Sequence, residues 1–172
     1  MVSEDGVWKV DSQSWAAQSD STPMVALEAP PSKGNAWLDE TYKMEFPRKM
    51  AVGAINKRSF RVERAEMERS FVKLVQGKDS DAPNYSALTI FFDWGDMDKK
   101  TGKVGTYPIM RAGSISQAWN EGGQLKTLRH EKKDYAIKLQ FGNESKGYRP
   151  GYIILRFPDK SYLEGYFYAK EY

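Results

Sequence analysis

The sequence predicts an all-β domain, an antiparallel β-sandwich or lipocalin-like barrel with one short helix. Three observations carry that expectation. Short runs rich in aromatic and β-branched residues recur along the chain, separated at close intervals by Gly, Pro, Asn and Asp turn signals. Aromatics reach 13% and concentrate in those runs. The C-terminal stretch Gly151 to Ala169, GYIILRFPDKSYLEGYFYA, sets two such runs around Pro158-Asp159-Lys160, a strong hairpin signal. The runs amount to about eight to ten strands with little helix, the pattern of a sandwich or barrel.

In chain order, Val7–Val10 and Ser14–Ala17 read as short strands around Asp11-Ser12-Gln13, with Trp8 and Trp15 as core anchors. Residues 18–45 are read as irregular, apart from a short run at Met24–Leu27, because SDSTP and APPSKGN are loop signals. Ser59–Glu63 alternates as a strand. Arg64–Gln76 is ambiguous between helix and strand. A strand after a brief turn is favoured there, since Gly77 and KDSDAPN stop it and no helix cap precedes it. From Ser86, Leu88, Ile90, Phe92 and Trp94 define one apolar strand face, and Lys100–Lys103 turns the chain into a return strand at Val104–Ile109. Ser114–Asn120 resembles a short helix: Ser114 caps it, Ile115, Ala118 and Trp119 share a face, and Gly122-Gly123 ends it. Lys126–Leu128 is expected to pair with Tyr135–Phe141, and GNESKGYRPG is read as a loop into the terminal hairpin.

The chain of 172 residues fits a single β-rich domain with room for a substantial core. With 40% hydrophobic and 28% charged residues, the composition is globular rather than disordered. The 26 basic and 23 acidic residues nearly balance, so no nucleic-acid partner is expected. The basic groups Arg48 to Arg64 and Lys126 to Lys133 are interrupted by acids, as in a solvated mixed-charge face. No apolar run approaches the ~20 residues of a membrane span. Absence of cysteine excludes disulfides, thiolate catalysis and cysteine-based metal sites.

Catalytic candidates are few. The single histidine, His130, lies in the charged stretch LRHEKKD, with no G-x-S-x-G turn anywhere to supply a nucleophile. Asp93, Asp96 and Asp98 in DWGDMDKKTG are the one calcium candidate, but the spacing departs from an EF-hand loop and the closing glutamate is missing. A polar hairpin tip is preferred. GDMDKKTGKV is rejected as a phosphate loop, because it has six residues between glycines and valine after the lysine. An enzyme is the least supported class, and no cofactor is expected.

Within the terminal hairpin, Phe157 should face Ser161 and Leu155 should face Leu163. Ile153, Leu155, Phe157, Leu163, Phe167 and Ala169 then share the core face. The opposite face carries Tyr152, Ile154, Arg156, Tyr162, Glu164, Tyr166 and Tyr168. Tyr152, Arg156, Tyr162, Tyr166 and Tyr168 are the candidate binding residues, since exposed tyrosines suit glycan and protein recognition. A purely structural role, stiffening the sheet through cross-strand pairs, outweighs a binding role on propensity alone.

WKVDSQSWAA near the start, GTYPI at Gly105–Ile109 and GYIILRFPDKSYLEGYFYA at the end together resemble small secreted Bacteroidetes-type lipoproteins. Their pattern is v-D-G-x-x-W-x-A, G-T-Y-P-l and G-x-I-x-I-x-x-x-D-x-x-x-I-x-G-x-F-x-F-x-A. Gly151, Ile153, Leu155, Asp159, Leu163, Gly165, Phe167 and Ala169 take the patterned positions, while Ser12 stands near where the family has glycine. The resemblance implies a secreted or envelope-anchored β domain, with signal and lipid anchor preceding Met1, and assigns no catalytic residues. The expected role is a non-enzymatic binding or structural module recognising a protein or glycan. A cytosolic inhibitor or immunity-type protein and a barrel carrier of a small apolar ligand are the alternatives.

Overall fold

The structure, a computed structural model, describes residues 3–4, 7–8, 36–93, 95, 97, 105, 108–109 and 112–172. Two short strands, β1 (Ser3–Glu4) and β2 (Val7–Trp8), pair with each other, and helix α1 spans Ala36–Lys43. The remaining strands are β3 (Val52–Ile55), β4 (Arg58–Arg61), β5 (Arg64–Glu68), β6 (Phe71–Gln76) and β7 (Ser86–Phe91). They continue with β8 (Ser114–Glu121), β9 (Gln124–His130), β10 (Ala136–Phe141), β11 (Tyr148–Arg156) and β12 (Tyr162–Glu171). β3 to β12 form one sheet curled into a half-barrel, in the order β10-β11-β12-β5-β6-β7-β8-β9. All-β architecture is thus what the molecule adopts.

β12 holds the sheet together. One edge pairs with β11 in the register the alternation predicts, Leu155 opposite Leu163, and Phe157 N–H donates to Ser161 O at 2.9 Å. The other edge is divided. Tyr162–Glu164 pair antiparallel with β3, and Ala169–Glu171 pair parallel with β5. Between them Gly165 takes φ +130°, a conformation side chains resist, and a Cβ there would lie 2.5 Å from Lys49 O. The chain at Lys49–Ala51 closes on β12 at this point. Tyr166 N–H donates to Lys49 O and Ala51 N–H to Tyr166 O, both at 2.8 Å.

The concave face holds the core. Alternation places Leu74, Leu88, Ile90, Ile115, Ile137, Leu139, Phe141, Ile153, Leu155, Leu163 and Phe167 there, all buried. Phe141 meets Phe167 edge-on at 6.2 Å and Phe92 at 5.7 Å, geometry that suits aromatic quadrupoles. Gly151 lies opposite Phe167 and leaves room for its ring, because a Cβ would sit 2.3 Å from it. The β3–β4 hairpin turns through Asn56 (φ 51°) and Lys57 (φ 62°), a primed two-residue turn. Its tip ties the β11–β12 turn to β8: Asn56 N–H donates to Ser161 Oγ at 3.0 Å, and Asn56 Nδ2 donates to Gln117 Oε1 at 2.8 Å.

Several expectations change. The helix expected at Ile115–Trp119 is strand β8. Gln117 is buried beside the core but satisfied by Asn56, and Gly122 and Gly123, both at positive φ, turn a hairpin rather than end a helix. The helix is α1, within the stretch read as irregular. β9 pairs with β8 and not with β10. β11 starts at Tyr148, so Tyr148, Arg149 and Pro150 belong to the strand and not to the loop before it. Val7–Trp8 pairs with Ser3–Glu4, while Ser14–Ala17, Met24–Leu27 and most of the turn and return strand after β7 lie outside the described residues. Arg64–Gln76 is two strands joined at Arg69-Ser70: β6 is the strand favoured after a turn, while β5 stands where no strand was expected.

Candidate functional site

The convex face of β10, β11 and β12 presents a row of cross-strand partners: Gln140 beside Tyr152, and Tyr152 beside Tyr166. Tyr168 follows one step along β12, opposite Pro150. Phe46, Pro47 and Arg48 rise beside this row as a wall, because the backbone bonds at Lys49–Ala51 fix the chain leaving α1 against β12. Together these residues line an open groove of about 450 Å³, within the range of small-ligand sites. Phe46 contacts Tyr152 at 5.8 Å between ring centres, and Tyr166 meets Tyr168 nearly edge-on at 6.1 Å. Lys138 braces the wall: its ammonium lies 5.0 Å from the Phe46 ring centre and donates to Met44 O at 2.8 Å. Tyr152 is 39% and Tyr168 57% exposed, so their rings are open to a ligand.

The same face is closed over its middle. Ile154 and Glu164, opposite each other on β11 and β12, are both buried, and Lys49 in the segment that follows α1 reaches Glu164. Glu164 accepts from Lys49 Nζ at 2.9 Å and from Arg156 Nη2. Burial pushes its carboxyl upward, but the hydrogen bonds and charges of Lys49 and Arg156 outweigh that and hold it below its ordinary value. Arg156 lies 5.2 Å over the Tyr162 ring and also reaches Met44 Sδ at 3.9 Å.

The five tyrosine and arginine candidates therefore separate. Tyr152, Tyr166 and Tyr168 meet in the groove, while Arg156 and Tyr162 form an ion-pair and cation–π cluster beyond the buried Glu164. Sequence reasoning missed Phe46, Pro47 and Arg48, which follow no period. Gln140 was legible, since it alternates with Leu139 and Phe141 and so must point outward. Tyr148, 50% exposed on the same convex face, was missed with the start of its strand.

Of the calcium candidates, Asp93 is paired with Lys132, and Asp96 and Asp98 lie outside the described residues. His130 is less solvated than its charged neighbours suggest. Its ring lies 4.6 Å from that of Phe157, tilted at 48° to it, and Nε2 is the one buried side-chain polar atom without a hydrogen-bond partner among the described residues. Burial lowers its pKa from the ordinary 6.5, against the charges of Asp134 and Asp159. A neutral ring set against an aromatic is a packing element.

No helix among the described residues is long and apolar enough to cross a membrane. No protein-family model, curated protein or solved structure matches the chain.

Proposed function

We propose that this domain is a non-enzymatic binding module of the cell envelope or secreted space, and that the tyrosine groove is where it takes a glycan. The observation that carries this reading is the row Gln140–Tyr152–Tyr166 walled by Phe46 and Arg48. Aromatic rings offer flat apolar faces for the C–H side of a sugar, and Gln140 and Arg48 offer donors and an acceptor for its hydroxyls. The resemblance to secreted lipoproteins supports the location and, with it, a lipid anchor. A partner protein, including the inhibitor or immunity type, is the second reading. It is favoured by the exposure of Tyr148, which lies outside the groove on the same face and widens the aromatic surface beyond what a sugar needs. The apolar-carrier reading draws no support from the concave face, whose described side chains pack on one another.

Glycan-array screening followed by calorimetry tests the proposal. Tyr152→Ala and Tyr168→Ala should each weaken binding about tenfold, the loss typical of an aromatic anchor. Tyr162→Ala, outside the groove, should leave it unchanged. Equal affinity of all three variants, or no glycan bound at all, would remove the groove from consideration as a sugar site.

A further inference from the structure

The two end strands of the half-barrel differ along their outer edges. At β10 the outer edge is met by the chain at Ile109, whose N–H and C=O exchange hydrogen bonds with Leu139 at 2.5 and 2.9 Å. At β9 the backbone is bonded only to β8 among the described residues. β9 is also unlike the protected edges of most sheets. It runs seven residues in unbroken one-to-one register, from Ile115 opposite His130 to Glu121 opposite Gln124, without proline or bulge. Every side chain from Gln124 to Arg129 is exposed, including Leu125 at 52% and Leu128 at 43%. The leucines point to opposite faces of the strand, so an added strand meets an apolar side chain whichever face it presents.

Charge selects the partner. Lys126 and Arg129 project from opposite faces, and the strand holds no acid. Lys126 Nζ donates to its neighbour Gln124 at 3.0 Å, and Arg129 reaches Glu131 at 3.2 Å. Both contacts are exposed and weak enough to yield to an incoming carboxylate. A second copy of this strand is the poorer occupant, because antiparallel self-pairing about Thr127 gathers two lysines and two arginines on one ribbon. The geometry points to β9 as a docking edge for an extended acidic–apolar segment of another protein, added antiparallel as a ninth strand beyond β9 in the main strand order.

The probe is the synthetic peptide Thr-Glu-Val-Thr-Glu-Val-Thr. Laid antiparallel on β9, it sets its glutamates opposite Arg129 and Lys126 and its valines opposite Leu128 and Leu125. Titrated into the ¹⁵N-labelled full chain, it should give saturable amide shifts centred on residues 124–130. The analogue with lysine for glutamate should bind about tenfold more weakly, the sum of two cross-strand charge pairs turned from attraction to repulsion. The double variant Lys126→Glu/Arg129→Glu, at exposed positions the fold tolerates, should invert that preference. Equal shifts with both peptides, shifts centred elsewhere, or no saturable shifts would each overturn the proposal. So would concentration-dependent self-association abolished by the same double variant, which would make β9 an edge for a second copy.

Discussion

In the β11–β12 hairpin, every core-facing side chain from Ile153 through Ala169 is buried, and the outer face is half covered by the chain following α1. In the β8–β9 hairpin, β8 contributes Ile115 and Gln117 to the interior, while six consecutive residues of β9 stand exposed. Both are antiparallel pairs with short turns. They differ in what lies on the outer side of the second strand. β12 has β3 and β5 there, whereas β9 has no strand on that side among the described residues. β12, paired along both edges, is core, while β9, paired along one, leaves six side chains to solvent.

The sharpest way to test this contrast is truncation. Phe167→Ala removes a fully buried ring packed on Phe141 and Gly151, and should cost ~3–5 kcal/mol in denaturant unfolding. A loss near zero would mean that β12 is not a core strand.

Next in size is the dependence on pH, where each hairpin contributes its own group. His130, on β9, has its pKa lowered by burial against Phe157, so its contribution is complete above 6.5 and fades as pH falls through the depressed value. Glu164, on β12, is held below its ordinary 4.5 by Lys49 and Arg156, so its contribution is complete above that value and fades at lower pH still. Urea midpoints measured across this span should fall in two stages. His130→Gln should remove the upper stage alone and Glu164→Gln the lower. A single stage insensitive to His130→Gln would show that the ring is solvated.

Smallest should be Leu125→Ser combined with Leu128→Ser. Although two leucines are lost from a strand, both are exposed, and the stability change should stay within ~0.5 kcal/mol per site. A loss of several kcal/mol would reveal that β9 packs against another part of the chain.

The terminal hairpin was legible in sequence because its alternation runs unbroken on both sides of Pro158-Asp159-Lys160, and a period of two leaves only one register with a buried face. Asp159 confirms the turn by accepting from Ser161 N–H at 2.9 Å. The patterned glycines that support the lipoprotein resemblance have physical reasons of their own. Gly151 makes room for Phe167, and Gly165 takes a positive φ where Lys49–Ala51 crosses. β8 misled because Ile115, Ala118 and Trp119 fit a helical face, and the residue that decides the matter, Gln117, is buried only because Asn56 bonds it from a distant hairpin. The groove was half legible. Strand alternation places its tyrosines outward, but its wall comes from Phe46-Pro47-Arg48, an aperiodic segment held by backbone bonds to β12 that no local pattern announces.

The divided edge of β12 also bears on how the molecule is assembled in time. The bond from Asn56 to Ser161 joins residues 105 apart in sequence, and the β12–β3 and β12–β5 pairings span comparable loops. Closing such loops costs chain entropy before any contact returns it. The β3–β4 and β5–β6 hairpins can zip locally, within microseconds. Yet β3 and β5 each keep one side bare until β12 arrives, and folding of the half-barrel is gated by that single late encounter. During the wait the chain carries open strand edges, the interval in which association with other chains competes with completion.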